Sequence, residues 1–454
     1  MKIVVVGCGK IGKTIIESLV KERHQVFAID SNPEVAEEIR TAYDAMCFCG
    51  NGTEYETLKT ADVDKCELFI AVTSSDELNM LACFAAKRMG AKHTVARIRD
   101  LENNDASLDF FKEQLDLSMA INPERLTAEA TYHILKLPSA TKVETFSHRG
   151  LEMIEVLLKN DSPLDGITLM ELRKKTKEKF LVATVGRNEE VFIPRGNFEL
   201  KSGDKLGIIT STRGAQRILN TMGATNVPIK DVILLGAGTI SNYLTQMLVA
   251  GRHSVKIIDA DQAACEQACE SLPESVTVIH GNEMSQELLM EEGILNTDAF
   301  IALTDRDEEN ILMSFYAISQ KVPKIIAKVD RRELSSIAGN LGLDCMLSPR
   351  TIVADVMVKY ARALENSMGS QIETLYSVMN GMAEALEFKV LNDFEYTNVP
   401  LKEMSLRENV LIAGISRENK AIIPTGDDVI LPGDSVIIIA KGERILNLSG
   451  IMAR

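Results

Sequence analysis

A glycine-rich turn occurs twice in the chain, and the repeat around it constrains every other reading. Gly7-Cys8-Gly9-Lys10-Ile11-Gly12 returns as Gly236-Ala237-Gly238-Thr239-Ile240-Ser241. At nearly the same spacing Arg23-His24 returns as Arg252-His253, Asp30 as Asp259 and Gly50-Asn51 as Gly281-Asn282. Thr73-Ser74-Ser75-Asp76-Glu77-Leu78-Asn79 returns as Thr304-Asp305-Arg306-Asp307-Glu308-Glu309-Asn310. Matches that keep one order at nearly one offset identify a tandem duplication.

Each copy changes character partway along. Its first part alternates short apolar strands (Ile3–Val6, Gln25–Ile29, Ala45–Phe48, Leu68–Val72 and Thr94–Arg97) with helices such as Ile11–Lys21 and Asn79–Met89. That alternation implies βαβ crossovers and a parallel sheet covered on both faces. A further helix, Glu124–Leu135, has Pro123 at its first turn and Pro138 beyond its end, the usual positions for proline at helix boundaries. The second part is strand-rich (Glu152–Leu158, Phe180–Val185, Glu190–Ile193, Lys205–Ile209), with turns at Asp165-Gly166, Arg195-Gly196 and Ser202-Gly203-Asp204. Thr425-Gly426 and Pro432-Gly433-Asp434 repeat two of those turns.

The expected architecture is α/β: two Rossmann-like, doubly wound parallel-sheet domains, each followed by a small α+β module. The boundaries are 1–122 for the first Rossmann-like domain, 123–139 for a linking helix and 140–224 for the first small module. The second set is 229–348, 349–368 and 369–454, with linkers around Gly223–Pro228 and Glu365–Gly369.

The glycine pattern gains weight from its context, after a strand and before a helix. Gly7 permits the tight turn, Gly9 lets a pyrophosphate approach the backbone, and Gly12 lets the helix press on the sheet. The free amides and positive dipole end of the helix then attract the anion. Asp30 ends the second strand, where a carboxylate accepts both ribose hydroxyls and repels a 2′-phosphate; Ser31-Asn32-Pro33 supplies no arginine. This favours NAD(H), or another adenosine nucleotide with an unphosphorylated 2′-hydroxyl such as ATP or ADP, over NADP. The second copy keeps Asp259 but has Ser241 for the third glycine.

The candidate cofactor-binding residues are therefore Gly7, Cys8, Gly9, Lys10, Ile11, Gly12 and Asp30, with Gly236, Ala237, Gly238, Thr239, Ile240 and Asp259 in the second copy. Thr73, Ser74, Thr304 and Asp305 join them, because they end the fourth strands on the carboxyl edge where open α/β sheets bind ligands. Asn51 and Asn282 follow the third strands and face the adenine end. Arg97 and Lys328 close the fifth strands, where a cation either pairs with phosphate or bridges to a neighbouring domain. Asp76-Glu77 and Asp307-Glu308 begin helices and complement the helix dipole.

Composition excludes several classes. A net charge of -15 argues against a nucleic-acid partner, which needs clustered Lys and Arg. It is compatible with docking beneath a basic membrane-protein face. No run approaches the ~18 apolar residues of a spanning helix, and the N-terminus does not read as a signal peptide, so a cytoplasmic location is expected. The eight cysteines and six histidines show no zinc spacing and read as packing residues. No metal site and no catalytic residue is assigned.

Together these residues resemble the TrkA family of bacterial and archaeal potassium-uptake regulatory subunits, and more broadly tandem RCK (KTN) domains. The resemblance rests on Val6 to Gly12, Asp30, Ala71 to Asn79 and Ala96-Arg97. In the small modules it rests on Ile193-Pro194-Arg195-Gly196 with Ser202-Gly203-Asp204, and on Ile423-Pro424-Thr425-Gly426 with Pro432-Gly433-Asp434. It implies a nucleotide-binding homo-oligomeric ring, peripheral on the inner face of the membrane, that gates a potassium transporter of Trk/Ktr type. The small modules are implied to take a second ligand. Asn51 and Asn282 depart from the family, many of whose members carry Asp there.

Two other functions use the same kind of fold. An NAD-dependent oxidoreductase needs an acid or base beside the nicotinamide, and the small modules offer no Tyr-x-x-x-Lys pair and no His–Asp partnership, so no enzyme is expected. An RCK-type sensor could instead serve another cation channel or an antiporter. Coupling between sites is typically ~1–3 kcal/mol, whereas driving a gate from 1:99 to 99:1 takes about 5.5 kcal/mol. That comparison favours several sites in an oligomer.

Overall fold

The computed structural model describes residues 1–454 apart from 100–104, 147–149, 160–161, 177, 189, 223–227, 368–371, 380, 393, 419, 443–444, 446 and 454. Of the first expected linker only Pro228 is described; of the second, residues 365–367 continue a helix instead, and 368–369 lie outside the described residues.

The first parallel sheet comprises β1 (Lys2–Val6), β2 (Gln25–Asp30), β3 (Met46–Cys49), β4 (Leu68–Ala71), β5 (His93–Arg97) and β6 (Met119–Ile121). Between and after them run α1 (Lys10–Lys21), α2 (Pro33–Ala42), α3 (Tyr55–Thr60), α4 (Asp76–Met89), α5 (Asp105–Gln114) and α6 (Pro123–Lys136). The first small module contributes β7 (Lys142–Thr145), β8 (Leu151–Leu157), α7 (Leu169–Lys175), β9 (Phe180–Arg187), β10 (Glu190–Phe192), β11 (Lys205–Ser211) and α8 (Thr212–Thr221).

The second parallel sheet has β12 (Asp231–Leu235), β13 (Ser254–Asp259), β14 (Thr277–His280), β15 (Ala299–Ala302), β16 (Lys324–Lys328) and β17 (Met346–Leu347). Its helices are α9 (Thr239–Ala250), α10 (Gln262–Ser271), α11 (Gln286–Glu291), α12 (Asp307–Ser319), α13 (Arg332–Asn340) and α14 (Pro349–Ser367). The chain closes with β18 (Ile372–Val378), β19 (Ala383–Lys389), β20 (Val410–Arg417), β21 (Lys420–Ile422) and β22 (Ser435–Ala440).

The strand order is β3-β2-β1-β4-β5-β6 in the first sheet and β14-β13-β12-β15-β16-β17 in the second. Both are doubly wound Rossmann-like sheets. Central strands such as β4 and β15 are buried at every position, which is why they read as unbroken apolar runs instead of alternating ones. In each sheet β1 or β12 lies where the order reverses, so its carboxyl end opens onto a crevice.

The small modules form antiparallel sheets, β10-β9-β11-β8-β7 and β18-β19-β22-β20-β21. Both carry an arginine fork on a buried aspartate: Arg187 donates to Asp204 at 2.6 and 2.7 Å, and Arg417 to Asp434 at 2.9 and 2.8 Å. Both aspartates follow a glycine with φ of 87°, a backbone conformation that favours glycine. The modules differ in their helices. A Thr168–Glu171 capping box starts α7. Its counterpart follows Pro400, which has no side-chain oxygen to cap with, and is only the 3-10 turn Leu401–Glu403. Among its described residues the second module has 3-10 turns and no α-helix, so α+β describes the first module better.

The two halves interlock. Val353, Ala354, Met357, Val358 and Ala361 of α14 join the core of the first sheet, against Ile15, Ile16 and Leu19 of α1. Reciprocally, Ala128, Ile134 and Leu135 of α6 join Leu244 and Leu248 of α9 in the core of the second. The facing small-module sheets share a third core, built from Met153, Ala183 and Ile209 against Val378, Ala385 and Ile437. Arg362 on α14, with its side chain only 3% exposed, ties the exchange together. It donates to Glu22 after α1 at 2.6 Å and to Glu384 on β19 at 2.9 Å.

Charged hydrogen bonds of this kind contribute roughly 1.5–3 kcal/mol, and removing one partner leaves the others desolvated. Arg362→Ala is therefore expected to lower stability by about 2–3 kcal/mol in a denaturant titration. An unchanged midpoint would contradict the role given to this cross-link.

Candidate nucleotide-binding site

Strand β1 is followed by Gly7, whose φ is +89°, and β12 by Gly236, at +94°. A Cβ on Gly7 would stand 2.8 Å from the Thr73 nitrogen, and one on Gly236 would stand 3.1 Å from that of Thr304. The end of the neighbouring strand presses on each turn, so both conformation and contact call for glycine. Gly12 packs against the same turn: a Cβ there would lie 1.9 Å from the Gly7 carbonyl oxygen. Ser241 carries a real Cβ at the corresponding position, so α9 cannot approach its turn as closely as α1 does. Its hydroxyl is buried and makes no hydrogen bond among the described residues.

Gly9 and Gly238 are different. A Cβ on either would meet nothing within 4 Å, because both face open space. They are the N-caps of α1 and α9, and neither helix receives a side-chain cap. Asn32, Ser75 and Asn122 do cap α2, α4 and α6. The first-turn amides of α1 and α9 thus lack intrahelical acceptors and are presented at a positive dipole end, an arrangement suited to an anion.

The carboxylates that end the second strands are fixed identically in the two halves. Asp30 accepts from the Cys8 amide at 2.7 Å and from the Asn32 amide at 2.8 Å. Asp259 accepts from the Ala237 amide at 2.6 Å and the Asp261 amide at 2.7 Å. Each oxygen retains acceptor capacity for an incoming hydroxyl. The Cys8 and Ala237 amides are spent on these carboxylates, so the amides left for an anion begin at Gly9 and Gly238. The Cys8 thiol is buried. Its hydrogen bond with the Cys47 thiol, then burial, push its pKa far above the ordinary thiol value, which keeps it neutral beside the turn.

Asn79 organises the other edge. Its Oδ1 accepts from the Thr73 amide and hydroxyl, both at 2.8 Å. Its Nδ2 donates to the carbonyls of Thr73 and Arg97 at 3.3 and 3.0 Å. Asn310 repeats all four bonds with Thr304 and Lys328. The threonine hydroxyls are therefore committed to the turn. Asp76 accepts from the Arg99 amide at 2.6 Å, and Asp307 from the Asp330 and Arg331 amides at 3.1 and 2.9 Å. These acids latch the strand ends together as well as complementing a dipole.

The cations at the sheet edges are paired. Arg97 donates to Glu124 at 3.0 Å, Lys328 to Asp305 at 2.8 Å, and Arg350 lies 3.3 Å from Asp330. The hydrogen bond and charge of Lys328, with the charge of Lys10 from the other half, hold the Asp305 carboxyl below its ordinary pKa.

The crevices of the two sheets meet in one cavity of about 800 Å³. It gathers Gly7, Gly9, Lys10, Ile11, Asp30, Asn51, Thr73, Ser74 and Arg97 with Gly238, Thr239, Ile240, Asp305 and Lys328. Cys8, Gly12, Gly236, Ala237, Asp259, Asn282 and Thr304 are not in its wall. Asn51 and Asn282 each use Oδ1 to accept an amide two residues on, from Thr53 and Met284. The wall also holds Glu124, Asp330 and Arg350, which the sequence reading did not single out. The recurrent Pro123-Glu124 and Pro349-Arg350 helix starts were the available signal. Asn79 was visible as the last residue of a repeated motif, without a role.

The two glycine environments predict opposite outcomes for the same substitution. Gly12→Ala must displace the Gly7 carbonyl and is expected to cost about 1–3 kcal/mol, as overpacking does. Gly9→Ala meets open space and is expected to change stability by less than about 1 kcal/mol. Thermal melts of the two variants check this; equal losses would contradict the geometry.

Comparison with known proteins agrees with this architecture. The TrkA-N domain family matches residues 3–123 and 232–349, and the TrkA-C domain family matches 153–223 and 386–452. The Trk system potassium uptake protein TrkA homolog of Archaeoglobus fulgidus is 30% identical over 453 residues, covering 99% of this chain and all of that protein. The Trk system potassium uptake protein TrkA of Halomonas elongata is 26% identical, covering 98% of this chain and 96% of that one. Among solved structures, the GsuK RCK domain superimposes with a TM-score of 0.61 at 15% identity, covering 97% of this chain and 92% of that chain. A GsuK channel bound to NAD also matches, with a TM-score of 0.61 at 15% identity, covering 97% of this chain and 76% of that one. The repeated sheets, the matched residues and the full-length likeness place this chain in the TrkA family.

Proposed function

We propose that the chain is a cytosolic regulatory subunit, peripheral on the inner face of the membrane, that binds NAD(H) or ADP/ATP and gates a potassium-uptake transporter of Trk/Ktr type. The carrying observation is the open face of Gly9 on an uncapped α1, with the Asp30 carboxylate fixed beside it and lining the same cavity. In this reading the amides from Gly9 onward take the diphosphate and Asp30 takes the ribose hydroxyls. Asn51, Thr73 and Ser74 border the nucleotide. The second half offers Gly238, Thr239, Ile240 and Asp259 in the same roles.

Potassium as the transported ion follows from the relatives, which are named for potassium uptake. Nucleotide choice draws on the GsuK channel, of which one structure is bound to NAD and another to ADP. A switch suits this scaffold better than an enzyme does, because the exchanged helices link each nucleotide crevice to the opposite half, and function must be argued from the site and not from the fold. Among the described residues no helix is long and apolar enough to cross a membrane, so the pore belongs to a partner. Homo-oligomerisation into a ring is favoured by Leu81 on α4 and Leu312 on α12, equivalent positions that are 53% and 57% exposed. Isolated exposed apolar residues are ordinary, but a matched pair on equivalent helices suits repeated contacts.

The test is potassium uptake in cells lacking this chain. Wild type should restore nucleotide-responsive uptake, and Gly9→Ala, which leaves the fold intact, should not. Full uptake with the gene deleted, or full restoration by Gly9→Ala, would overturn the proposal.

A further inference from the structure

The two glycine turns open onto the same chamber, and that chamber is unequal end to end. Its volume of about 800 Å³ is that of a pocket for one ligand, which is typically ~300–1,000 Å³. From the first half its wall includes both the ribose corner, at Asp30 and Asn51, and the helix end at Gly9 and Lys10. From the second half it includes the helix end, at Gly238, Thr239 and Ile240, but neither Asp259 nor Asn282. A nucleotide anchored on Asp30 would lie in the chamber along its whole length, whereas one anchored on Asp259 would enter it only with its phosphates.

The far walls differ in charge as well. Pro123 and Pro349 open equivalent helices, yet the next residue is Glu124 in one half and Arg350 in the other. Lys328 and Arg350 of the second half line the same chamber as Asp30, and Lys10 of the first half is close enough to influence Asp305, the partner of Lys328. Lys328 is only 10% exposed, but the Asp305 side chain is 99% exposed, so the carboxylate can swing away while the ammonium stays. The Nε of Arg350 is buried and makes no hydrogen bond among the described residues. The first half contributes the Arg97–Glu124 pair to the wall instead, and the Oε2 of Glu124 is buried without a hydrogen-bond partner among the described residues. An acid there repels an anionic ligand end. Two diphosphates in one chamber would also repel each other more than in water.

We infer that the halves bind nucleotide jointly and unequally: a nucleotide held by Asp30 takes the chamber first, Lys328 and Arg350 of the opposite half read its far end, and the Asp259 site fills later and more weakly. This rests on the nucleotide-binding reading above. It makes Lys328 and Arg350 specificity-determining residues for ligands that extend beyond the first phosphate.

Calorimetric titration of the full-length chain with NADH and, separately, AMP tests it. Wild type should bind NADH in two steps separated by roughly 5- to 150-fold, the range of typical site coupling. Asp30→Ala should remove the tighter step, and Asp259→Ala should leave it in place. The double variant Lys328→Ala with Arg350→Ala should weaken the tighter NADH step by about tenfold, a loss typical of a charge-assisted contact. Its affinity for AMP, which has no group past its single phosphate, should stay within about twofold, and that retained binding shows the variant is folded. Two equal and independent NADH steps in wild type, or equal losses for NADH and AMP in the double variant, would overturn the inference while leaving nucleotide binding intact. If wild type bound neither ligand, the nucleotide reading would fall together with it.

Discussion

Helix α14 packing on α1, and α6 on α9, is the contact on which the rest of the molecule depends. Each parallel sheet covers one face from its own half and needs the other half to cover the second. The apolar stripe of α1, with Ile15, Ile16 and Leu19, is covered by a helix that follows the second sheet, and the stripe of α9 by one that follows the first. Covering a large side chain contributes ~1.5–3 kcal/mol, so several such residues per helix bind the halves into one body. α1 and α9 are also the helices whose first turns face the chamber. The surface that holds the halves together therefore belongs to the same elements that present the anion-binding amides.

This arrangement gives a physical basis for a switch. A bound diphosphate draws on the free amides of α1, and α1 touches α14, which reaches the second small module through Arg362 and Glu384. On the other side of each turn, Asn79 or Asn310 fastens the β4 or β15 end to the neighbouring strand carrying Arg97 or Lys328. Ligand-dependent shifts at the turn thus have two rigid routes outward, one through a packed helix and one through a hydrogen-bonded strand end. Interfaces of this kind tend to adopt discrete arrangements, and they are the kind of element a bound nucleotide can bias.

Local features were legible in the sequence and relations between halves were not. Gly7, Gly9 and Gly12 announced the turn because each meets a separate steric demand at fixed spacing, and Asp30 announced itself by closing an apolar strand. The Ser241 departure was equally plain, and the structure shows its steric consequence. The helix exchange was hidden: Ala128, Ile134 and Leu135 state that α6 needs an apolar partner, but nothing local says which copy supplies it. The single chamber was hidden for the same reason, since Lys10 and Asp305 are distant in sequence. Thr73 read as ligand-facing because strand ends commonly are, yet a buried asparagine six residues on claims its hydroxyl. The 3-10 turn that replaces α7 in the second small module traces to Pro400, where the first module has a capping threonine.

Hydrogen–deuterium exchange of the full-length chain, with and without NADH, tests the central claim most directly, because it reads the backbone amides themselves. NADH is expected to slow exchange in the peptide spanning Gly7 to Gly12, with a weaker effect across Gly236 to Ser241. Unchanged exchange at both glycine turns under conditions of saturating NADH would contradict it.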